Sequence, residues 1–188
     1  MYDRRKCVGA SDAVHIQAGQ WADLYDRKQA TTPPEYVLAA EIGHELESLN
    51  LRWFQRETGI RVQTSAEWEE YPLCLLDEQW YTYLPDGLIK DTKVNKLSTI
   101  PFEAKAINMM WKSHNLIAKY QPQLQHAMRV MKAPYCYFSV IYLNIKFEYY
   151  KIPYDPPYAD ALFEKEKLFY WFLDNEVRPP EKKGRNWI

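Results

Sequence analysis

Three side chains spaced along the middle of the sequence could do chemistry together. Pro85-Asp86 is followed, about one strand later, by Glu103-Ala104-Lys105, which supplies two carboxylates and an ammonium group. Hydrolysis of a phosphodiester needs a nucleophilic water, charge stabilisation on the phosphoryl oxygens and help for the leaving oxygen. Carboxylates clustered on Mg²⁺ provide the first two, because hard oxygen ligands suit that ion and leave water positions open. A lysine beside them can orient or deprotonate the water.

The Asp/Glu-x-Lys spacing alone says little. It recurs at Asp26-Arg27-Lys28, Asp91-Thr92-Lys93 and Glu181-Lys182-Lys183, all in charged segments. Glu103-Ala104-Lys105 differs in its setting, because the flanking residues from Ile100 to Ala106 are otherwise apolar. On a strand, alternation puts Phe102, Ala104 and Ala106 on one face and Glu103 with Lys105 on the other. A structural ion pair without catalytic role fits the same pattern. Glu47 adds a further carboxylate: at 100° per residue it shares a helical stripe with Ala40, Gly43, Leu51 and Phe54, a partly apolar face where a lone charge needs a partner. A metal is one such partner. Arg52, a lysine or open water are the blander and commoner ones.

The elements that must hold these groups follow from periodicity. Ser11 is predicted to cap a short helix, residues 21–28 to form a second, and residues 36–58 a long third helix with Leu38, Ile42, Leu46, Leu49 and Trp53 recurring at three and four residue spacing before Gly59 stops it. Strands are predicted at 61–64, 73–76, 80–84 and 87–90, read as a β-meander, and at 99–106. A helix over 117–131 has Pro122 in its first turn or at a kink, with Leu124, Ala127, Met128 and Met131 as its buried stripe. Strands 135–143 and 146–152 pair through an Asn144-Ile145 turn, and Pro153, Pro156 and Pro157 precede a last helix over 158–173. This order implies an α/β layered domain around a mixed sheet.

Bulk properties bound the rest. The 188 residues are 47% apolar and 15% aromatic, enough for the core of a single domain over 1–188, with 178–188 as a mobile basic tail. The formal net charge is −1, so contact with nucleic acid has to come from a local basic patch rather than bulk charge. Cys7, Cys74 and Cys136 stand apart, without the spacing of a zinc site or a disulfide framework, and reduced cytoplasm is the expected home. No apolar run reaches the roughly 18 residues needed to span a bilayer, and no secretory signal is expected.

With these residues in view, the chain resembles the YqaJ-type viral recombinase family, the family of phage lambda exonuclease, within the PD-(D/E)xK nuclease superfamily. Ordered short motifs carry the resemblance: Arg4-Arg5-Lys6-Cys7-Val8-Gly9-Ala10-Ser11-Asp12, Gly43-His44-Glu45-Leu46-Glu47, Pro85-Asp86-Gly87, Glu103-Ala104-Lys105 and Tyr120-Gln121-Pro122-Gln123-Leu124-Gln125. It implies a restriction-endonuclease-like fold, a central mixed β-sheet flanked by helices. It also implies digestion of one strand of duplex DNA from its 5′ end, leaving a 3′ overhang for phage-type recombination by single-strand annealing. Carried over residue by residue, Asp86, Glu103 and the Ala104 carbonyl would hold Mg²⁺, with Mn²⁺ as a substitute. Lys105 would activate the water, Glu47 would contribute to the metal site, and Gln123 and Tyr120 would position water, lysine or DNA. Arg4 or Arg5, with Ser11 at a helix N-terminus, would bind the 5′ phosphate.

The implied partners are double-stranded DNA ends, a single-strand annealing protein and further copies of the chain, in a homo-oligomer that can be a toroidal trimer. Exposed aromatics near Tyr170, Trp171 and Phe172 would form an interface or pack the last helix. One departure stands out: where the family carries Gly-Ile-Gly-Gly-Ser, this chain has Cys7-Val8-Gly9-Ala10-Ser11, which tightens the turn beside the phosphate pocket. Two other readings share the fold: an endonuclease or flap nuclease, and a non-catalytic DNA-binding or phage assembly module.

Overall fold

The computed structural model of the chain describes residues 3–31, 38–67, 73–75, 78–91, 98–107, 113–142 and 146–181. Its elements in chain order are β1 (Val8–Gly9), α1 (Ala10–Gln17), α2 (Trp21–Gln29), α3 (Leu38–Thr58), β2 (Leu73–Leu75), β3 (Glu78–Tyr83), β4 (Gly87–Asp91), β5 (Ser98–Ile107), α4 (Ser113–Met131), β6 (Tyr135–Tyr142), β7 (Lys146–Pro153) and α5 (Pro156–Asp174). The expected α/β class with a central mixed sheet flanked by helices is what is found.

The central sheet has the order β4-β5-β6-β7. β5 and β6 run parallel, joined through α4, while β4 and β7 pair antiparallel at the edges. β5 is buried on both faces, and its alternation decides what each face meets. Phe102 packs on Phe54 of α3, with ring centroids 4.8 Å apart. Glu103 on the opposite face meets Gln123 of α4. α3 and α4 therefore sandwich the sheet around Phe54, Ile100, Phe102, Leu124, Met128 and Phe138, each 0% exposed. Burial of such side chains stabilises the fold by about 1.5–3 kcal/mol each.

A second, three-stranded sheet has the order β1-β3-β2. The meander expected across 61–90 is therefore broken: β3 pairs with β1 and β2, whereas β4 leaves for β5. The break falls at Leu84-Pro85-Asp86, where Pro85 has no N–H to donate to a ladder. The strand expected at 61–64 reduces to one bridge between Gln63 and Leu88, followed by a single 3₁₀ turn, Ser65–Glu67.

Three helix boundaries differ from expectation for local reasons. Gly9, not Ser11, caps α1, and the Asp12 carboxylate accepts from the Gly9 N–H at 2.9 Å, so Ser11 is the second helical residue. α4 runs through Pro122 from Ser113 rather than starting near it, because the burial of Leu116, Pro122, Leu124, Ala127 and Met128 outweighs the one backbone bond that proline removes. Pro156 and Pro157 open α5 instead of preceding it, since proline is tolerated in a first turn, and Asp155 caps that turn by accepting from the Tyr158 N–H at 3.1 Å.

The apolar series Leu38, Ile42, Leu49 and Trp53 that announced α3 does not face the core: these side chains are 70%, 42%, 36% and 36% exposed. The face that packs is the neighbouring one, with Phe54 and the fully buried Asn50. Asn50 donates to the carbonyls of Lys105 at 3.2 Å and Ser139 at 3.0 Å, tying α3 to β5 and β6. The tail expected to be mobile begins with Arg178, whose guanidinium forks onto Asp26 of α2 at 2.8 and 2.9 Å. The Asn144-Ile145 turn and residues 182–188 lie outside the described residues.

Candidate active site

The antiparallel register of β4 and β5 matches Gly87 with Phe102. The residue before Gly87 therefore draws level with Glu103, and Asp86 Oδ2 accepts from the Ala104 N–H at 2.8 Å. Lys105, two residues along the same face, brings its ammonium to 3.3 Å from Glu103 Oε2 and 3.6 Å from Asp86 Oδ2. That ammonium also donates to the Ala104 carbonyl at 3.1 Å. From α4, Gln123 Nε2 donates to Glu103 Oε2 at 2.6 Å. Asp86, the Glu103-Ala104-Lys105 segment and Gln123, three separate stretches of chain, thus converge on one spot.

Glu103 is 1% exposed, and its Oε1 has no hydrogen-bond partner among the described residues. Burial, then the charge of Asp86, pushes its carboxyl up to about 8, against the pull of Lys105. Burial alone would lower Lys105, but Asp86 and Glu103 outweigh it and hold the ammonium well above its usual range. Glu47 is also raised, by partial burial and then by Asp86. Glu103 and Glu47 are raised first by burial and then by the charge of Asp86, which Lys105 opposes at both. Asp86, Glu103 and the Ala104 carbonyl form an all-oxygen donor set of the kind Mg²⁺ takes with only one or two carboxylates and several waters. In donor chemistry they fit a hard divalent cation, although among the described residues no group of three or more His, Cys, Asp or Glu is drawn together as a ready-made cage.

Above this cluster lies an open pocket of about 500 Å³. Asp86, Lys105 and Gln123 form one side of it, with Glu47 and His44 from α3 beside them. It is also lined by the start of α1, Gly9, Ala10, Ser11 and Asp12, with Lys28 of α2. Among the described residues the ion-pair partner of Glu47 is His44, one helical turn away at 3.5 Å, while Lys105 pulls its carboxyl down from further off. Lys28 is held at 2.7 Å from Asp12 and donates to the Cys7 carbonyl at 2.8 Å, which fixes the strand and cap leading into α1. A helix start that lines the same pocket as Asp86 offers backbone N–H groups and partial positive charge of the kind that suit a phosphate.

Of the expected residues, Glu103, Ala104, Arg5 and Tyr120 are not among the groups that line this pocket. The Arg5 guanidinium is turned to Asp3 at 3.0 Å and is not among the lining groups. Tyr120 packs its ring against Phe138, and Lys105 lies 5.9 Å from its centroid, so it touches the site through the lysine's position. The side chain of Arg4, the other arginine expected at the phosphate, lies outside those described.

Four polar groups around the site escaped sequence reasoning. Asn50 pins the Lys105 carbonyl, and Lys28 sets the α1 start, as described above. Fully buried Tyr83 lies beside the cluster, and burial, then Glu103 and Asp86, pushes its phenol well above the usual range, so it stays a neutral hydroxyl. His126, one turn after Gln123 on α4, contacts Glu166 of α5 through Nδ1 at 2.8 Å and the Thr82 carbonyl of β3 through Nε2 at 2.8 Å. This fully buried pair clamps α4 between α5 and the second sheet. A His and a Glu separated by 40 residues left no local signal; only the burial of α4 on both sides brings them together.

Comparison by sequence with family models and with curated proteins finds no match. Comparison of structures does. The chain is similar to an alkaline exonuclease, LHK-Exo from Laribacter hongkongensis, with a TM-score of 0.70, 20% identity, and coverage of 92% of this chain and 90% of that one. The structure of LHK-Exo in complex with dAMP matches equally. SSO0001 is similar at a TM-score of 0.50 and 15% identity, over 87% of this chain and 76% of that one. At these identities the likeness establishes a shared fold.

Proposed function

We propose that the chain is a metal-dependent 5′→3′ exonuclease that digests one strand of linear double-stranded DNA, of the YqaJ type, and that the 3′ overhang it leaves serves a single-strand annealing partner in recombination. The observation that carries this reading is the pocket itself. Asp86, Lys105 and Gln123 line it together with the start of α1, which brings the groups that could hold a terminal phosphate near those that could cut a phosphodiester. The fold shared with an alkaline exonuclease supports it.

In this reading Asp86, Glu103 and the Ala104 carbonyl hold Mg²⁺ or Mn²⁺, with Glu47 adding negative charge from α3. A bound divalent cation supplies Lewis-acid stabilisation of the phosphoryl oxygens and a more acidic water. Lys105 keeps its proton between two carboxylates, so its role is to orient the attacking water and to place positive charge beside the phosphate. Gln123 fixes the rotation of the buried Glu103 carboxylate by donating to Oε2. Ser11 and the first N–H groups of α1 seat the 5′ phosphate, and Lys28 stabilises that turn.

A linear duplex carrying separate 5′ and 3′ end labels tests the proposal. Early loss of the 5′ label with Mg²⁺, faster with a 5′ phosphate, and an intact covalently closed plasmid are the expected results. Cleavage of the closed circle would instead make the chain an endonuclease, and DNA retention without cleavage in both Mg²⁺ and Mn²⁺ would make it a binding module.

A further inference from the structure

Gln123 and His126 lie one turn apart on α4, and each meets a buried carboxyl group on another element. Gln123 Nε2 donates to Glu103 of β5 at 2.6 Å, and His126 Nδ1 lies 2.8 Å from Glu166 Oε1 of α5. β3 stands beside both pairs. Tyr83 adjoins Glu103, the Tyr81 ring stacks on the imidazole with centroids 3.9 Å apart, and the Thr82 carbonyl lies 2.8 Å from His126 Nε2. A carbonyl oxygen only accepts, so a hydrogen bond there has Nε2 as its donor, and Nδ1 meets the carboxyl whichever of those two carries the hydrogen.

Stability does not account for this arrangement. His126 and Glu166 are each 0% exposed, and replacing such a buried pair with well-packed apolar side chains is often neutral or stabilising. What directional bonds at both ring nitrogens add is a single allowed position of α4 against β3, where apolar contacts alone would let the helix slide. Three parts of the pocket depend on that position. Gln123 is carried by α4 itself. Asp86 follows Thr82 by four residues, where the chain leaves β3 for β4. Gly9, matched with Thr82 in the β1–β3 register, caps α1 and leads into Ser11. The bond from Gln123 to Glu103 has little slack, because an N–H···O contact stretched much past about 3.2 Å loses most of its strength, so a shift of α4 by about 1 Å breaks it.

We propose that His126 and Glu166 are positioning residues of the active site, locking α4 onto β3 so that Gln123 reaches Glu103. Both are fully buried and neither lines the pocket, so they act on the site through Gln123. The kinetic consequence rests on the exonuclease reading above; the geometric one stands without it.

His126→Leu with Glu166→Leu removes the pair without stranding either partner, so the double variant is expected to fold, as read by circular dichroism. In isotope-labelled chain, the Gln123 side-chain amide signal is identified by its absence in Gln123→Ala. That amide is expected to exchange with solvent at least about tenfold faster in the double variant than in the wild type. On a labelled duplex kcat is expected to fall about 10–100-fold with KM changed less than about threefold, and Gln123→Ala added to the pair is expected to cause no further loss. Glu166→Gln, whose amide still offers Nδ1 a hydrogen bond, keeps both readouts within about threefold of wild type. If the first pair does not fold, His126→Phe with Glu166→Met retains more volume and is read in the same way. Failure of both pairs to fold, wild-type amide exchange or full kcat in a folded pair, or losses that multiply with Gln123→Ala would each overturn the proposal. A wild-type chain that cleaves no DNA would remove the exonuclease reading alone, since amide exchange still decides the role of the pair.

Discussion

Gln123 Nε2 donates to Glu103 Oε2 at 2.6 Å, while Oε1 of the same carboxylate is left without a partner among the described residues. The amide therefore fixes the rotation of a carboxylate whose other oxygen is buried beside Tyr83. Gln123→Ala releases that carboxylate to rotate, and loss of such an outer partner lowers activity or metal affinity by about 10–100-fold. The check is kcat and apparent Mg²⁺ affinity on a labelled duplex, with Gln123→Asn failing to restore either because the shorter amide cannot reach.

Lys105 balances two carboxylates, so it and they should respond differently to removal. Lys105→Ala is expected to lower kcat by about 10²–10³, the scale seen when one preorganised charge-stabilising donor is lost. Unchanged turnover in that variant would sink the assignment. Glu103→Gln is expected to abolish cleavage as well, yet to raise Tm in the absence of divalent cation, with the full gain above about pH 8, where the folded carboxyl would otherwise lose its proton beside Asp86. A combined melt and activity assay reads both.

The raised carboxyl of Glu103 gives a pH dependence with a defined sign. Its ordinary value is 4.5 and its folded value about 8, so between these the folded chain keeps a proton that the unfolded chain releases. Cation-free stability therefore falls as pH rises through that window. Cation binding shows the opposite trend: a cation must displace the proton, so affinity climbs up to about tenfold per pH unit and levels off above pH 8. Calorimetric titration in two buffers of different ionisation enthalpy should detect the proton released below pH 8, and Glu103→Gln should remove the effect.

His126 Nδ1 lies 2.8 Å from Glu166 Oε1, and the other ring nitrogen lies 2.8 Å from the Thr82 carbonyl. Removing one partner strands the other in a fully buried place. His126→Leu or Glu166→Leu alone should destabilise by about 3–5 kcal/mol, and the double variant by less than the sum. Urea denaturation of the four chains gives the coupling directly.

Gly87 follows Asp86 at the start of β4, where an added Cβ would lie 2.3 Å from Val62 Cγ1 and 3.3 Å from Phe102 Cδ1. Val62 is 3% exposed and branched at Cβ, so it cannot swing aside. Gly87→Ala is expected to destabilise by about 1–3 kcal/mol, and Val62→Ala in the same chain to recover part of that loss. Thermal melts of the single and double variants decide it.

Sequence by itself determined what depends on neighbours along the chain. Alternation through Phe102, Glu103, Ala104 and Lys105 decides that carboxylate and ammonium share a face, whichever strands lie beside them. The helical period likewise puts Glu47 on the same side as Leu51 and Phe54. The order of helices and strands was legible for the same reason, apart from boundaries at Pro122, Pro156 and Gly9, where burial or a cap overruled the local residue.

Only the tertiary structure decided which elements meet. Strand pairing is a long-range choice, and no local pattern announces that β4 abandons β3 at Pro85 and so carries Asp86 level with Glu103. The apolar series in α3 gave the helix but not its orientation, because periodicity cannot tell a face turned to the core from one turned outward; Asn50, reaching carbonyls in β5 and β6, fixes that rotation. Gln123 and His126 also owe their partners to packing, since hydrogen bonds across layers form only once the hydrophobic core has brought α4 onto the sheet.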